Sequence, residues 1–381
     1  VAFILNLIRK SIQVELNNFT SILSLKWISK QAFSAARQKL SPAVFIELNQ
    51  TIISEFYTDN EFKTLFGCRI IGIDGSTLQL PNNEEMKRVY GACSNKSGKN
   101  FPMARTSFAY DLLNGITLNA LVAPYVSSEK EMAAQHLQNI KSVAVKDLYI
   151  FDRGYPAGWL IFFHVIQGKD FLMRCNTQFI DGVNKLVKSG CKDGLIELTV
   201  KGLRRSQRAA LKALIPNLDL KLKVTLRVVV IPLKTGEDEI LITTLCSSEQ
   251  VRYEDFADFY HLRWGIEENY KLHKALIEIE NFSGESSIAI EQDFYATIFA
   301  ANVQTLLADE ALQELKKEGL NSDCKINKSI SIGLFKDQVI KELLSRKSNL
   351  ERFCNRIKEQ MKRSTIPIQN GREYLRPSTP T

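Results

Sequence analysis

Two acidic residues stand where a sheet would present them to a ligand. Asp74 ends the apolar run Ile70-Ile71-Gly72-Ile73, and Asp152 ends Leu148-Tyr149-Ile150-Phe151; each is followed at once by glycine-bearing segments, Asp74-Gly75-Ser76 and Asp152-Arg153-Gly154. Open α/β sheets bind ligands beyond the carboxyl ends of their strands. An Asp after a strand is also ordinary turn chemistry, so neither residue alone defines a site. Both on strands expected to be neighbours are another matter, because two carboxylates converging on one edge need a cation between them. Oxygen-only ligation suits Mg²⁺ or Mn²⁺.

A second constellation lies on the helical segment predicted over 247–278, where Ser247 and Gln250 have the spacing of a capping box. Tyr260, Arg263, Glu267 and Lys274 fall within about 60° of arc on a continuous helix, in one stripe about 21 Å long. Such a stripe is not a core face. It could be a solvated helix side, with Arg263 and Glu267 an ordinary i, i+4 pair. Against that, Trp264 flanks the stripe and Gly265 interrupts the helix at a cost of about 1 kcal/mol, as a close approach would require.

The elements that must position these residues follow from periodicity. Residues 1–66 read as helices, with apolar residues three to four apart at Leu16, Phe19 and Leu23 and again at Phe33, Ala36 and Leu40. From Cys68 the pattern becomes strand-like: 69–74, then 106–112 and 116–123 joined by Asn114-Gly115, the strongest short hairpin signal. Helical 129–143, strand 147–151, helical 157–167 and strand 170–175 complete an alternation that implies a mixed sheet with flanking helices. Residues 176–246 read as a β-rich insertion, with strands at 195–200, 224–232 and 239–245. The expected organisation is a helical N-terminal region (1–66), a core in two parts (67–175 and 247–300) around the insertion, and a helical C-terminal region with a Pro/Ser/Thr tail (301–381).

Composition narrows the function classes. The 381 residues are 45% hydrophobic and 24% charged, near globular averages, which excludes a small stapled scaffold and a disordered or fibrous chain. The net charge of +8 and pI of about 9.0 favour a polyanionic partner. Seven cysteines without a C-x-x-C pair indicate neither a disulfide framework nor a zinc knuckle and fit a reducing cytoplasm. The opening apolar run is short and precedes Arg9 and Lys10, unlike a signal peptide, and nothing is expected to span a membrane. The chain starts with Val, which leaves room for residues upstream.

Tyr260-x2-Arg263-x3-Glu267-x6-Lys274 resembles the YREK signature of bacterial insertion-sequence transposases of the DDE, cut-and-paste type. Its surroundings, Tyr-His-Leu-Arg-Trp-Gly-Ile-Glu-Glu-Asn-Tyr-Lys, are similar beyond those four positions, and the Asp74-Gly75-Ser76 and Asp152-Arg153-Gly154 contexts match as well. The similarity runs from about Ser29 to Phe282 and more weakly to the end. It implies an α/β, RNase H-like core with helical N- and C-terminal regions and a β-rich insertion. It also implies Asp74, Asp152 and Glu267 as a triad holding two Mg²⁺ ions, with Mn²⁺ as a substitute, for phosphoryl transfer. Tyr260, Arg263 and Lys274 are implied as phosphate contacts, with Arg153 beside them.

The partners implied are double-stranded DNA, as terminal inverted repeats and target, and a second copy of the chain through helices in 306–363, within a bacterial cytoplasm at the nucleoid. The insertion contains no tryptophan, although hairpin-forming members stack a flipped base on one there. Trp264 is the remaining candidate, with packing as its other reading. Lys201, Arg204, Arg205, Arg208 and Lys212, and the basic residues of 341–363, are candidates for further phosphate contacts, with a solvated face the more common outcome for any single one; Lys26, Lys30, Arg37 and Lys39 make the N-terminal region (1–66) a candidate DNA-binding surface for the element's ends. No histidine is assigned a catalytic role. The alternatives left open are a transposase-derived protein that binds DNA without cutting, and another RNase H-like nuclease.

Overall fold

The computed structural model describes residues 1–5, 11–58, 61–94, 98–233, 236–319, 324–343 and 349–368. Two compact units emerge, one formed by Leu40–Ile298 and one by Val1–Lys39 with Phe299–Thr381.

The second of these units is helical. Its N-terminal part contributes α1 (Ala2–Leu5), α2 (Ile12–Ile22) and α3 (Lys30–Arg37), packed through Phe3, Ile12, Leu16, Phe19 and Phe33. Ser29 caps α3 by accepting from the Ala32 amide. Arg37 is buried with its guanidinium over the Phe33 ring, so it is a packing residue and not the phosphate contact expected of it, whereas Lys26, Lys30 and Lys39 are exposed.

The larger unit begins with α4 (Ala43–Phe56) and continues through β1 (Cys68–Gln79), α5 (Glu84–Tyr90), β2 (Ala92–Ser94), β3 (Asn100–Asp111) and β4 (Ile116–Pro124). After these come α6 (Glu129–Asn139), β5 (Lys146–Phe151), α7 (Gly158–Ile166) and β6 (Asp170–Cys175). The insertion adds α8 (Asp181–Lys188), β7 (Asp193–Thr199), α9 (Arg205–Leu214), β8 (Lys223–Pro232) and β9 (Asp238–Thr243). The strand order is β2-β3-β1-β5-β6-β9-β8-β7, with β4 also paired to β3. β3 runs antiparallel to β1 and β4, whereas β5 and β6 run parallel to β1. An antiparallel meander followed by two parallel crossovers, in the order β4-β3-β1-β5-β6, is the RNase H-like arrangement. The insertion does not stand apart from this sheet: β9, β8 and β7 extend it antiparallel from β6.

Sequence explains most of these elements. The Asn114-Gly115 hairpin forms as expected, with Gly115 at φ +72° and its amide donating to the Asp111 carbonyl at 2.9 Å. Strand residues of even number in β1 and β5 (Cys68, Ile70, Leu148, Ile150) share one face and pack on Phe256, Phe259 and Tyr260. α7 lies on the opposite face and is buried from Gly158 to His164, which suits an all-round apolar helix. His164 there is surrounded by Tyr149, Phe151 and Phe171, and burial pushes its pKa down to about 3, so it is a neutral core residue.

Two expectations are corrected and one, the β-rich insertion, is extended. β1 does not end at Asp74 but runs on to Gln79, because β3 stays paired with it through Met103. The insertion carries the helices α8 and α9 as well as strands. The segment 247–278 is not one helix. The Ser247 hydroxyl caps only a local turn by accepting from the Glu249 amide. A 3₁₀ turn (Tyr253–Asp255) precedes α10 (Phe256–His261), a tight turn at Leu262 and Arg263 leads to α11 (Trp264–Lys271), and a π segment (Leu272–Leu276) follows. Gly265 is where α11 meets the hairpin loop: a Cβ there would lie 3.0 Å from Leu112 Cδ2.

α12 (Ser287–Lys317) starts in the larger unit, and its later turns belong to the helical unit, where β10 (Cys324–Ile326), α13 (Lys328–Leu343), α14 (Leu350–Lys362) and β11 (Thr365–Pro367) follow. Lys358 pairs with Glu310 and Glu314, and Lys362 with Glu314, Glu318 and Glu359. These lysines of the expected basic cluster therefore pin α14 to α12. Residues 344–348 of that cluster, and most of the tail (369–381), lie outside the described residues. No described helix is long and apolar enough to cross a membrane.

A buried ion network ties β1 to β5 below the site. Asp147, 3% exposed, receives Arg69 at 2.8 Å and Lys169 at 2.6 Å. Removing one partner of a buried pair strands the other charge. Asp147→Ala is therefore expected to destabilise the fold by about 3–5 kcal/mol, read from the urea midpoint, while Lys169→Ala, which leaves Arg69 paired, costs much less.

Candidate active site

The register of β1 and β5 places the two aspartates. Their parallel pairing ends at Gly72 opposite Ile150; extended by two residues, the same register sets Asp74 opposite Asp152, at the point where β5 stops and β1 continues with β3. Neighbouring strands are about 4.8 Å apart, and both side chains point to the face covered by α10 and α11, since they share the parity of Ile70 and Ile150. The convergence is visible in Asp74's acidity. Burial, followed by the nearby Asp152 and Glu129 carboxylates, pushes its pKa up to about 6, although the Gly75 amide and Arg263 oppose the shift. One Asp74 oxygen accepts from the Gly75 amide at 2.9 Å.

The stripe lies over this edge. Tyr260 is 4% exposed, and its hydroxyl donates to the Phe151 carbonyl at 3.3 Å and the Asp152 carboxylate at 3.4 Å. Arg263, 6% exposed, donates to Glu267 at 2.7 Å and stacks over Trp264, 4.9 Å from the ring centre. Lys274 donates to the Thr77 carbonyl of β1 at 2.7 Å. The stripe is therefore not a solvated helix side. Tyr260 and Arg263 are turned inward against the carboxylates, which leaves the half-buried Lys274 and the exposed Arg153 nearer to solvent. Trp264 is half-buried with one face taken by Arg263, an arrangement of packing and cation–π attraction.

Sequence reasoning missed several groups. Tyr270 stacks on Phe108 at 4.5 Å and donates to the Asp74 carbonyl at 2.8 Å, locking α11 to β1. Its spacing, three residues after Glu267, was the available signal. Glu129 lies under Gly75, held by Arg105 at 2.7 Å. His136 bridges Asn119 and Ser107, and the Ser107 hydroxyl donates to the Asp74 carbonyl at 3.1 Å; burial holds its pKa down at about 3, so it is a neutral strut. In the basic segment 201–212, Arg208 donates to the carbonyls of Lys201 and Leu203 and is structural, while Lys201, Arg204, Arg205 and Lys212 are exposed.

The donor set suits a hard divalent cation. Asp74 and Asp152 supply oxygen only, and their mutual repulsion is what a cation would relieve. Glu267, on α11, is turned to Arg263, and among the described residues no group of three Asp, Glu, His or Cys side chains stands assembled to hold a metal ion.

Asp74's raised pKa carries a stability consequence. A carboxyl whose folded pKa lies above its unfolded value stabilises the fold while protonated, below about pH 4, and loses that contribution as pH rises through about 6. In chelator, Asp74→Asn should therefore gain on the parent by on the order of 2 kcal/mol at pH 7 and nothing at pH 4. Urea unfolding at the two pH values measures the difference, and equal midpoints at both would refute it.

Comparison with known proteins bears on this arrangement. Residues 66–303 match the family described as "Transposase DDE domain". The Escherichia coli (strain K12) protein named "Putative transposase InsZ" is 27% identical over 132 residues, 33% of this chain and 42% of that protein, so this chain spans less than half of that relative's length. A piggyBac transposase, solved as a synaptic complex with hairpin DNA, superposes with a TM-score of 0.44 at 9% identity, over 77% of this chain and 57% of that one.

Proposed function

The chain belongs to the family of transposases with a DDE domain, and from that premise we propose that it is a YREK-type transposase. It cuts DNA at the ends of its own mobile element in a metal-dependent reaction and joins the freed 3′ ends to target DNA. One observation carries this reading: Asp74 and Asp152 face each other where β1 and β5 part, under the helix bearing Glu267.

Asp74, Asp152 and Glu267 would hold two Mg²⁺ ions, for which Mn²⁺ substitutes. Such ions would supply the chemistry of a lowered pKa at a water or 3′-hydroxyl and of charge neutralisation at the leaving oxygen. The remaining work falls to the chain itself. The Gly75 amide fixes one Asp74 oxygen, Tyr260 orients Asp152, and Tyr270 and Lys274 clamp the helix segments to β1. Lys274 and Arg153, with exposed Lys201, Arg204, Arg205 and Lys212, supply cations for the phosphate backbone, which sets position and not sequence. Trp264 is the group available to a displaced base. The DNA-bound form is a homodimer, since two ends require two active sites, and the protein works in the bacterial cytoplasm at the nucleoid.

The second reading, a protein that binds element ends without cutting them, draws on the Arg263–Glu267 ion pair, which keeps the third carboxylate occupied. Incubating the full chain and Mg²⁺ with the DNA flanking its own coding sequence separates the two. Nicks leaving 3′-hydroxyls at terminal inverted repeats, by two protein copies per pair of ends, are expected. Binding to those repeats with no strand cleavage in Mg²⁺ or Mn²⁺ would replace the first reading by the second.

A further inference from the structure

Gly75 follows Asp74 in β1 and points to the opposite face, the side of α6 and α7. A Cβ at Gly75 would lie 2.7–2.8 Å from three side-chain atoms of Glu129. The glycine of the Asp-Gly-Ser segment therefore does not serve a turn, because it is in an extended strand; it leaves room for a carboxylate directly behind the aspartate. Glu129 opens α6 and is held in place by Arg105 of β3, whose guanidinium also donates to the Tyr125 carbonyl.

Tyr155 closes the same space from the Asp152 side. Its amide donates to the Asp152 carbonyl at 3.1 Å, folding the Asp152-Arg153-Gly154-Tyr155 segment back so that its ring rests on Phe151. Only 2% of the residue is exposed, and its hydroxyl has no hydrogen-bond partner. Burial first, and then the charges of Asp74 and Glu129, hold the phenol's pKa well above its ordinary value, with Arg105 opposing. A buried hydroxyl left unpaired is rare and calls for an explanation. No carboxylate bonds it here, so it is a donor held in reserve beside the turn that Asp152 opens.

Resting on the reading of Asp74 and Asp152 as metal ligands, we propose that Glu129 and Tyr155, with Arg105, form a second layer behind the strand edge that positions Asp74 and sets how tightly the aspartates hold a divalent cation. Glu129 adds negative charge on the far side of the strand. Tyr155 fixes the turn after Asp152 through its amide, and its buried, unpaired hydroxyl is the donor that a ligand carboxylate would reach on turning to a cation. Groups that orient ligands in this way commonly change metal affinity by about 10–100-fold when removed. They are positioning residues, since neither is argued to touch DNA.

The test is Mn²⁺ binding to the full chain without DNA, by calorimetry or electron paramagnetic resonance, with melting in chelator alongside. Tyr155→Phe and Glu129→Gln should each weaken Mn²⁺ binding about 10-fold. Tyr155→Phe removes only an unpaired hydroxyl, so its melting temperature in chelator should not fall. Should Glu129→Gln fail to fold, Tyr155→Phe decides alone. Mn²⁺ affinity equal to the parent's in Tyr155→Phe, or a loss of affinity accompanied by lower stability in chelator, would assign the residue to packing and overturn the proposal. Asp74→Asn is the control. If it loses Mn²⁺ while the other two variants do not, only this second layer is wrong; if it binds Mn²⁺ like the parent, the catalytic reading falls with it.

Discussion

Asp74→Asn, Asp152→Asn and Glu267→Gln will each lower Mg²⁺-dependent nicking of end DNA by at least about 1,000-fold, with end binding retained. Amide replacements keep shape and remove charge, so they act on cation binding and leave the fold standing. Asp74 is the member for which this is clearest. Its burial and its neighbour Asp152 already hold its pKa up at about 6, so its charge is maintained against the protein's own environment, an arrangement better suited to a ligand than to a structural group. Glu267 is the member most exposed to refutation, because its carboxylate is bound to Arg263 at 2.7 Å. Gel assays of strand nicking on labelled end DNA, with filter binding in chelator, measure both quantities. Normal cleavage by any one variant removes that residue from the triad.

The strands that carry the aspartates were legible because buried parallel strands are short apolar runs, and those at 147–151 and 170–175 stand out between helical patterns. The hairpin was legible because Asn-Gly imposes its turn locally. What could not be read was the end of β1. Residues 75–79 are Gly-Ser-Thr-Leu-Gln, with no strand signal of their own, and they are extended because β3 continues beside them. The same holds for Arg263. Its spacing put it correctly on a stripe with Tyr260 and Glu267, but a helical projection assumes one continuous helix and says nothing about which way the stripe faces. The break at Leu262 and Arg263 and the π segment at Leu272–Leu276 re-aim its two ends. Wide π turns often occur at functional positions. Glu129 was invisible for a different reason: it comes up behind β1 from the other face of the sheet, into the space that Gly75 leaves, and no periodicity within one element records that.

Arg263→Met will lower cleavage by about 100-fold without changing how DNA binding depends on salt. The basis is its burial: at 6% exposed, bonded to Glu267 and stacked on Trp264, Arg263 is placed to aim a carboxylate and not to meet a phosphate. Methionine preserves much of the packing volume while releasing Glu267, so a loss of rate would reflect misplacement of that group. Arg153→Ala and Lys274→Ala serve as the contrast. These residues lie nearer to solvent, and removing a cation that pairs with a phosphate should lower the slope of log affinity against log salt by about 1. The expected pattern is thus two variants with shallower salt slopes, and a third with the parent's slope and impaired chemistry. A slope lowered by about 1 in Arg263→Met would instead mean that the guanidinium leaves Glu267 for the DNA backbone on binding, freeing the third carboxylate as the substrate arrives. Unchanged cleavage in Arg263→Met would confine the pair to holding α11 in place.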